Sequence, residues 1–130
     1  MAPKLLVIDD SPEVLRSVRL VFESEGYEVI TEEKAKKALH MVLDTFFEVI
    51  FCDWQLPDMD GLDLVEILDK RSPKSAIIMI SGFPAIKRAT ESVRRGAAEY
   101  LAKPFTPDEA LEAVKRALAY KKSLYRKDSQ

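Results

Sequence analysis

The stretch "IFCDWQLPDMDG", residues 50–61, decides the fold. An apolar run ends on a carboxylate, Asp53, just where the chain turns from oily to polar. A loop of turn residues follows, with Pro57 and Gly61 fixing its path, and a helical pattern opens at Gly61. Apolar run, polar turn and amphipathic run in that order describe a strand, a loop and a helix. The stretch also poses a chemical question: why a covered strand should deliver an acid at its carboxyl end.

The same unit repeats outward. "KLLVI" (4–8), "YEVIT" (27–31), "FEVIFC" (47–52), "SAIIMI" (75–80) and "EYLA" (99–102) are short, rich in Val and Ile, and bounded by turn or charged residues. The first, third and fourth are almost continuously apolar, as in strands covered on both faces. Helical patterns lie between them. Residues 12–25 carry Val14, Leu15, Val18, Val21 and Phe22 at helical spacing, with Gly26 to close the end. Residues 33–45 put Ala35, Ala38, Leu39, Val42 and Phe46 on one face, and residues 61–70 do so with Leu62, Val65 and Leu68. Residues 84–95 are weaker, with Ile86, Ala89 and Val93, and stop at Gly96. The last helix opens with "TPDE", a capping box of Thr106 and Glu109 with Pro107 in the first turn. Five strands alternating with five helices imply one open, doubly wound parallel sheet with helices on both faces.

The totals agree. The chain has 130 residues, 47% apolar and 32% charged, with a net charge of −2, the profile of one soluble globular domain. That charge gives no general attraction to nucleic acid or anionic membrane. The single cysteine, Cys52, cannot form an internal disulfide and reads as a small core filler. No apolar run can span a bilayer and "MAPKLLVIDD" is not a secretion signal, so cytoplasmic is the default localisation.

In an open parallel sheet the ligand site lies beyond the carboxyl ends of the strands. Strand one ends in Asp9 and Asp10, strand three in Asp53, strand four in Ser81, and strand five just before Lys103. Singly, each has an ordinary reading: helix-start signal, turn acid, capping hydroxyl, surface charge. Jointly they bring three carboxylates, a hydroxyl and an ammonium to one rim. Three close carboxylates repel, and a divalent cation relieves this; magnesium favours such hard oxygens. Lysine and hydroxyl suit the oxygens of a phosphoryl group. The set reads as a metal site beside a carboxylate nucleophile, with a clamp for a transferring phosphoryl group.

These residues resemble the receiver (response-regulator) domain of two-component signalling. The matching pieces are "VIDDSPEVLRSV", "VIFCDWQLPDMDGLDLVEIL", "IIMISG", "GAAEYLAKPF" and the closing helix, over about residues 4–120. The resemblance implies a flavodoxin-like strand order 2-1-3-4-5. It implies Asp53 as phosphoacceptor, and Mg2+ held by Asp53, by Asp10 directly, by Asp9 partly through water and by the main-chain carbonyl of Gln55. Ser81 would be the switch hydroxyl, Lys103 the lysine paired with the phosphoryl group, and Tyr100 the aromatic that turns on activation. Gln55 and Phe83 occupy the two places that tune the phosphoryl lifetime. Trp54 is read either as a shield and reporter of metal binding or as a surface aromatic.

The function so implied is a signalling phosphoacceptor that catalyses only its own phosphoryl transfer and slow autodephosphorylation. Its partners would be a sensor histidine kinase or phosphotransfer protein, with a homodimer through the fourth helix, fifth strand and fifth helix also open. Direct nucleic-acid or membrane binding is not expected. A receiver-like interaction module indifferent to phosphate is the alternative. An aspartate phosphatase is disfavoured because Gln55 stands where a second acid is needed. Residues 1–121 are taken as the receiver and 122–130 as an extension or linker start. His40 reads as a surface or boundary residue, and the basic tail (Lys121, Lys122, Arg126, Lys127) as a solvated helix end. Asp58, Asp60, Asp63 and Asp69 read as turn and helix-face acids.

Overall fold

The computed structural model describes residues 2–82 and 86–128. Five strands alternate with five helices: β1 (Lys4–Ile8), α1 (Pro12–Ser24), β2 (Glu28–Glu32), α2 (Ala35–Asp44), β3 (Val49–Asp53), α3 (Gly61–Arg71), β4 (Ala76–Ser81), α4 (Ile86–Arg94), β5 (Glu99–Ala102) and α5 (Pro107–Asp128). The strands form one parallel sheet in the order β2-β1-β3-β4-β5. The predicted architecture and strand order are therefore observed.

Alternation along each strand builds two cores, one per face of the sheet. Leu5, Val7, Val49, Phe51, Ile78 and Ile80 point toward α1 and α5, where they meet Val18, Phe22, Ala113 and Ala117. Leu6, Ile8, Ile50, Cys52, Ile77 and Met79 point the other way, toward α2 and α3, onto Ala38, Leu39, Leu64 and Leu68. β1, β3 and β4 are buried on both faces, which is why they read as unbroken apolar runs.

Local chemistry sets the helix ends. Ser11 caps α1 by accepting the Val14 N–H, and Gly26 leaves the helix at φ +94°. Asp60 caps α3 by accepting the Leu62 N–H at 2.7 Å. The Thr106–Glu109 capping box forms reciprocally, at 2.8 and 3.1 Å. α2 has no side-chain cap of its own at Lys34; Asp58, from the β3–α3 loop, accepts the N–H groups of Ala35 and Lys36 instead.

Three sequence readings are corrected. Phe46 does not continue the α2 face: the helix ends at Asp44, Thr45 is extended, and Phe46 is half exposed while Phe47 is buried. Val93 is likewise half exposed, and Ser92 takes the inward position on α4. Lys121 is not solvated, since its ammonium is buried against the Pro73 carbonyl at 3.0 Å and Asp69 at 3.5 Å. His40 is exposed and Cys52 buried, as read. α5 runs without a break through Asp128, and among the described residues no helix is long and apolar enough to cross a membrane.

Candidate functional site

The parallel register brings the strand ends into one row. Ile8 of β1 lies beside Cys52 of β3, and Asp53 beside Ile80 of β4. Asp9, Asp53 and Ser81 thus emerge on neighbouring strands. Trp54 N donates to the Ile80 carbonyl at 3.0 Å, and Lys103 N to the Ser81 carbonyl at 2.7 Å. Asp53, through the next residue, and Lys103, through its own N–H, are therefore tied to the adjacent strand, as Asp9 is by its N–H to the Glu32 carbonyl at 3.0 Å.

Asp9, Asp10 and Asp53 each offer a carboxylate oxygen within 4.8 Å of the others. Asp9 is fully buried and Asp53 nearly so, whereas Asp10 faces solvent. The Lys103 ammonium stands 2.8 Å from Asp9 Oδ2 and 3.4 Å from Asp53 Oδ1. The Ser11 main-chain N–H donates to Asp9 Oδ1 at 2.8 Å. Asp9 Oδ2 is held by the ion pair but lacks a well-directed hydrogen-bond donor.

Electrostatics follow from this crowding. Burial, and then the Asp9 charge, push the Asp53 carboxyl up to about 6; Lys103 and the Gln55 N–H oppose the shift without cancelling it. Burial disfavours the Lys103 charge, but the Asp9 and Asp53 carboxylates outweigh it and hold its pKa above that of an ordinary lysine. Burial also pushes up the neighbouring Cys52 thiol, so it stays protonated and inert.

Three carboxylates against one ammonium leave a formal charge of −2, concentrated on hard oxygens at a partly open rim. A divalent cation balances that charge and supplies the buried Asp9 oxygen with a directed partner. The donor set therefore fits a divalent cation, and the adjacent ammonium leaves a place for an anionic group.

Of the remaining site residues, Ser81 is buried at the end of β4. Gln55 is exposed, its main chain bridged to Asp60 at the root of the loop. Tyr100 is partly buried on β5 against the α2–α3 core. Phe83 lies outside the described residues. A hollow of about 480 Å³ opens between α1, at Glu13 and Ser17, and the Lys103–Phe105 segment, and it shares only Lys103 with the charged cluster.

The sequence did not reveal two features of the surroundings. The Arg88 guanidinium of α4 stacks 3.6 Å from the centroid of the Trp54 ring, so Trp54 is no free surface aromatic. Gly61 packs directly under the end of β3: a side-chain carbon there would collide with the Asp53 carbonyl oxygen and the Trp54 main chain. Only the glycine itself gave a signal, and that signal suggested a turn.

Residues 5–115 match the family model described as the response regulator receiver domain. The nitrogen assimilation regulatory protein NtrX of Azorhizobium caulinodans is 35% identical over 120 residues, covering 91% of this chain but 26% of that protein. A CheY-like receiver domain from Methanospirillum hungatei superposes with a TM-score of 0.87 at 32% identity, covering 95% of this chain and 98% of the other. A response regulator from Burkholderia pseudomallei, solved with a phosphorylated aspartic acid, calcium ion and citrate, gives a TM-score of 0.83 at 27% identity, covering 98% and 75%. The chain spans about a quarter of the length of the curated relatives it matches. The acidic pocket of Asp9, Asp10 and Asp53 fits a phosphoacceptor site.

Proposed function

The chain belongs to the response regulator receiver domain family, and on that premise we propose that it is a phosphorylation-controlled switch that takes its phosphoryl group on Asp53. The observation that carries this reading is the Lys103 ammonium set between Asp9 and Asp53, beside the open Asp10, at the carboxyl rim of the sheet. The phosphorylated aspartic acid in the Burkholderia relative supports it.

Asp53 is the nucleophile. With its pKa raised only to about 6, it is already ionised at neutral pH. One of its oxygens attacks the phosphorus of a phosphohistidine on a sensor kinase or phosphotransfer protein, or of a small acyl phosphate. The bond to the donor nitrogen or oxygen breaks, and its electron pair leaves with the donor. Asp10, Asp53 and the Gln55 carbonyl, with Asp9 partly through water, would hold Mg2+, which when bound supplies positive charge at the phosphoryl oxygens. Lys103 pairs with a phosphoryl oxygen and keeps its charge because the acids around it raise its pKa. Gln55, exposed two residues past the acceptor, meets a hydrolytic water approaching the site and sets how long the phosphoryl group lasts.

The product adds about 1.5–2 negative charges at the end of β3. Ser81, at the end of β4, turns toward the new oxygens, and Tyr100 on β5 takes up the vacated space. The surface of α4, β5 and α5 changes with it and serves a partner or a second copy of the chain. A complete swing of such a two-state surface needs about 5.5 kcal/mol of differential stabilisation. Incubation with acetyl phosphate and Mg2+ tests the reading: one phosphoryl group per chain is expected, lost with EDTA and in Asp53→Asn. Labelling that persists in both would overturn it.

A further inference from the structure

The described side chains of α4 show little apolar burial. Among its described side chains only Ser92 is buried, and Val93 is half exposed. Two arginines reach instead to the segment that follows Asp53. Arg88 stacks on Trp54, the residue bonded to Asp53. Arg95, one residue past the helix, pairs with Asp63 at 2.6 Å and Glu66 at 3.2 Å on α3.

The state of the Trp54 ring makes the first contact informative. The Trp54 main chain is fixed on both sides, by its N–H to Ile80 and by its carbonyl from Gly61 N at 2.8 Å. Its indole Nε1 is buried yet has no hydrogen-bond acceptor among the described residues. Among the described residues, then, nothing anchors the ring through its polar edge. Apolar packing on the α2–α3 core and the guanidinium above it set its orientation. Arginine suits this role because its planar, weakly hydrated cation lies flat on an aromatic face.

We propose that Arg88 is a positioning residue that couples α4 to the acceptor strand through Trp54, by a route separate from that of Ser81 and Tyr100. The contact joins the helix of the responsive surface to the residue covalently next to the acceptor. A charge gained on Asp53 acts on a guanidinium held over the neighbouring ring, so the stack and the seating of α4 change together. Only this last step rests on the phosphoacceptor reading; the seating of α4 by the stack does not.

The test uses the whole chain, free and with Mg2+ and beryllofluoride, a non-covalent phosphoryl mimic. Trp54 emission and amide exchange are followed together. In the free protein, Arg88→Met is expected to change Trp54 emission and to speed exchange across α4 by about tenfold, leaving the centre of β3 unchanged. Arg88→Lys, which keeps a cation, should recover part of both. With the mimic, wild-type α4 should change its exchange, and Arg88→Met should lose at least about half of that response. Wild-type exchange in α4 of free Arg88→Met, or a full α4 response to the mimic in that variant, would overturn the proposal. If β3 exchange also rises, Arg88→Lys decides: wild-type α4 behaviour supports the cationic stack, and α4 exchange as fast as in Arg88→Met contradicts it. If wild type ignores the mimic, the phosphoacceptor reading fails, and the free-protein comparison alone decides the seating of α4.

Discussion

The Lys103 ammonium stands 3.4 Å from Asp53 Oδ1, reaching across from β5 to the end of β3. It is closer still to Asp9, at 2.8 Å, so one cation serves two buried acids. Under the proposed function, one side chain would both assist transfer and set the charge of Asp53.

Lys103→Met should therefore act twice. The Asp53 titration midpoint should rise further, because a cause that lowers it is removed. Labelling by acetyl phosphate should slow by about a hundredfold, the scale expected when one charged donor to a transferring group is lost. Carboxyl NMR titration and intact-mass kinetics check the two arms. A midpoint that falls or stays fixed would contradict the electrostatic account.

The raised Asp53 pKa has a sign-specific effect on stability. Unfolded, Asp53 titrates near 3.8; folded without metal, near 6. Between those values the folded chain holds a proton that the unfolded chain has released, so this group's contribution to stability falls as pH rises through that window. Asp53→Asn should then be more stable than wild type by about 1–2 kcal/mol at neutral pH without Mg2+, the shift being discounted for solvent at the rim. The difference should vanish at about pH 4. Urea unfolding at the two pH values measures it.

With Mg2+ held at Asp53, as proposed, proton and metal compete for the same carboxyl. Mg2+ affinity, followed by Trp54 fluorescence, should weaken as pH falls through about 6. Asp9→Asn removes the second cause of the raised pKa and should lower the Asp53 midpoint, while weakening Mg2+ at neutral pH through the lost carboxylate. Affinity indifferent to pH between 5 and 8 would place the metal elsewhere.

Gly61→Ala should destabilise the chain by about 2–3 kcal/mol, since the added carbon meets the Asp53 carbonyl and Trp54 main chain rather than a flexible side chain. Equilibrium unfolding measures this; a change below about 0.5 kcal/mol would mean that the loop root shifts freely.

The fold was legible in the sequence because burial on both faces leaves a strong signal. β1 and β5 fall where the apolar runs put them, and the strand order then brings Asp9, Asp10, Asp53, Ser81 and Lys103 to one rim. Periodicity misled where the backbone changed course. The spacing of Ala35, Ala38, Leu39 and Val42 extends naturally to Phe46, but Thr45 leaves the helix and Phe47 turns inward instead. Lys121 looked solvated because a helical pattern does not show the Pro73 carbonyl or Asp69 waiting opposite. The Arg88–Trp54 stack was hidden for the same reason: residues 34 positions apart meet only once α4 is seated.

The most direct measurement reduces the labelled protein with borohydride, which converts an aspartyl phosphate to homoserine, and sequences the peptides by mass spectrometry. The expected result is homoserine at position 53 alone, dependent on Mg2+ and on the phosphodonor. Homoserine at position 9 or 10, or stable label with residue 53 still aspartate, would contradict the account.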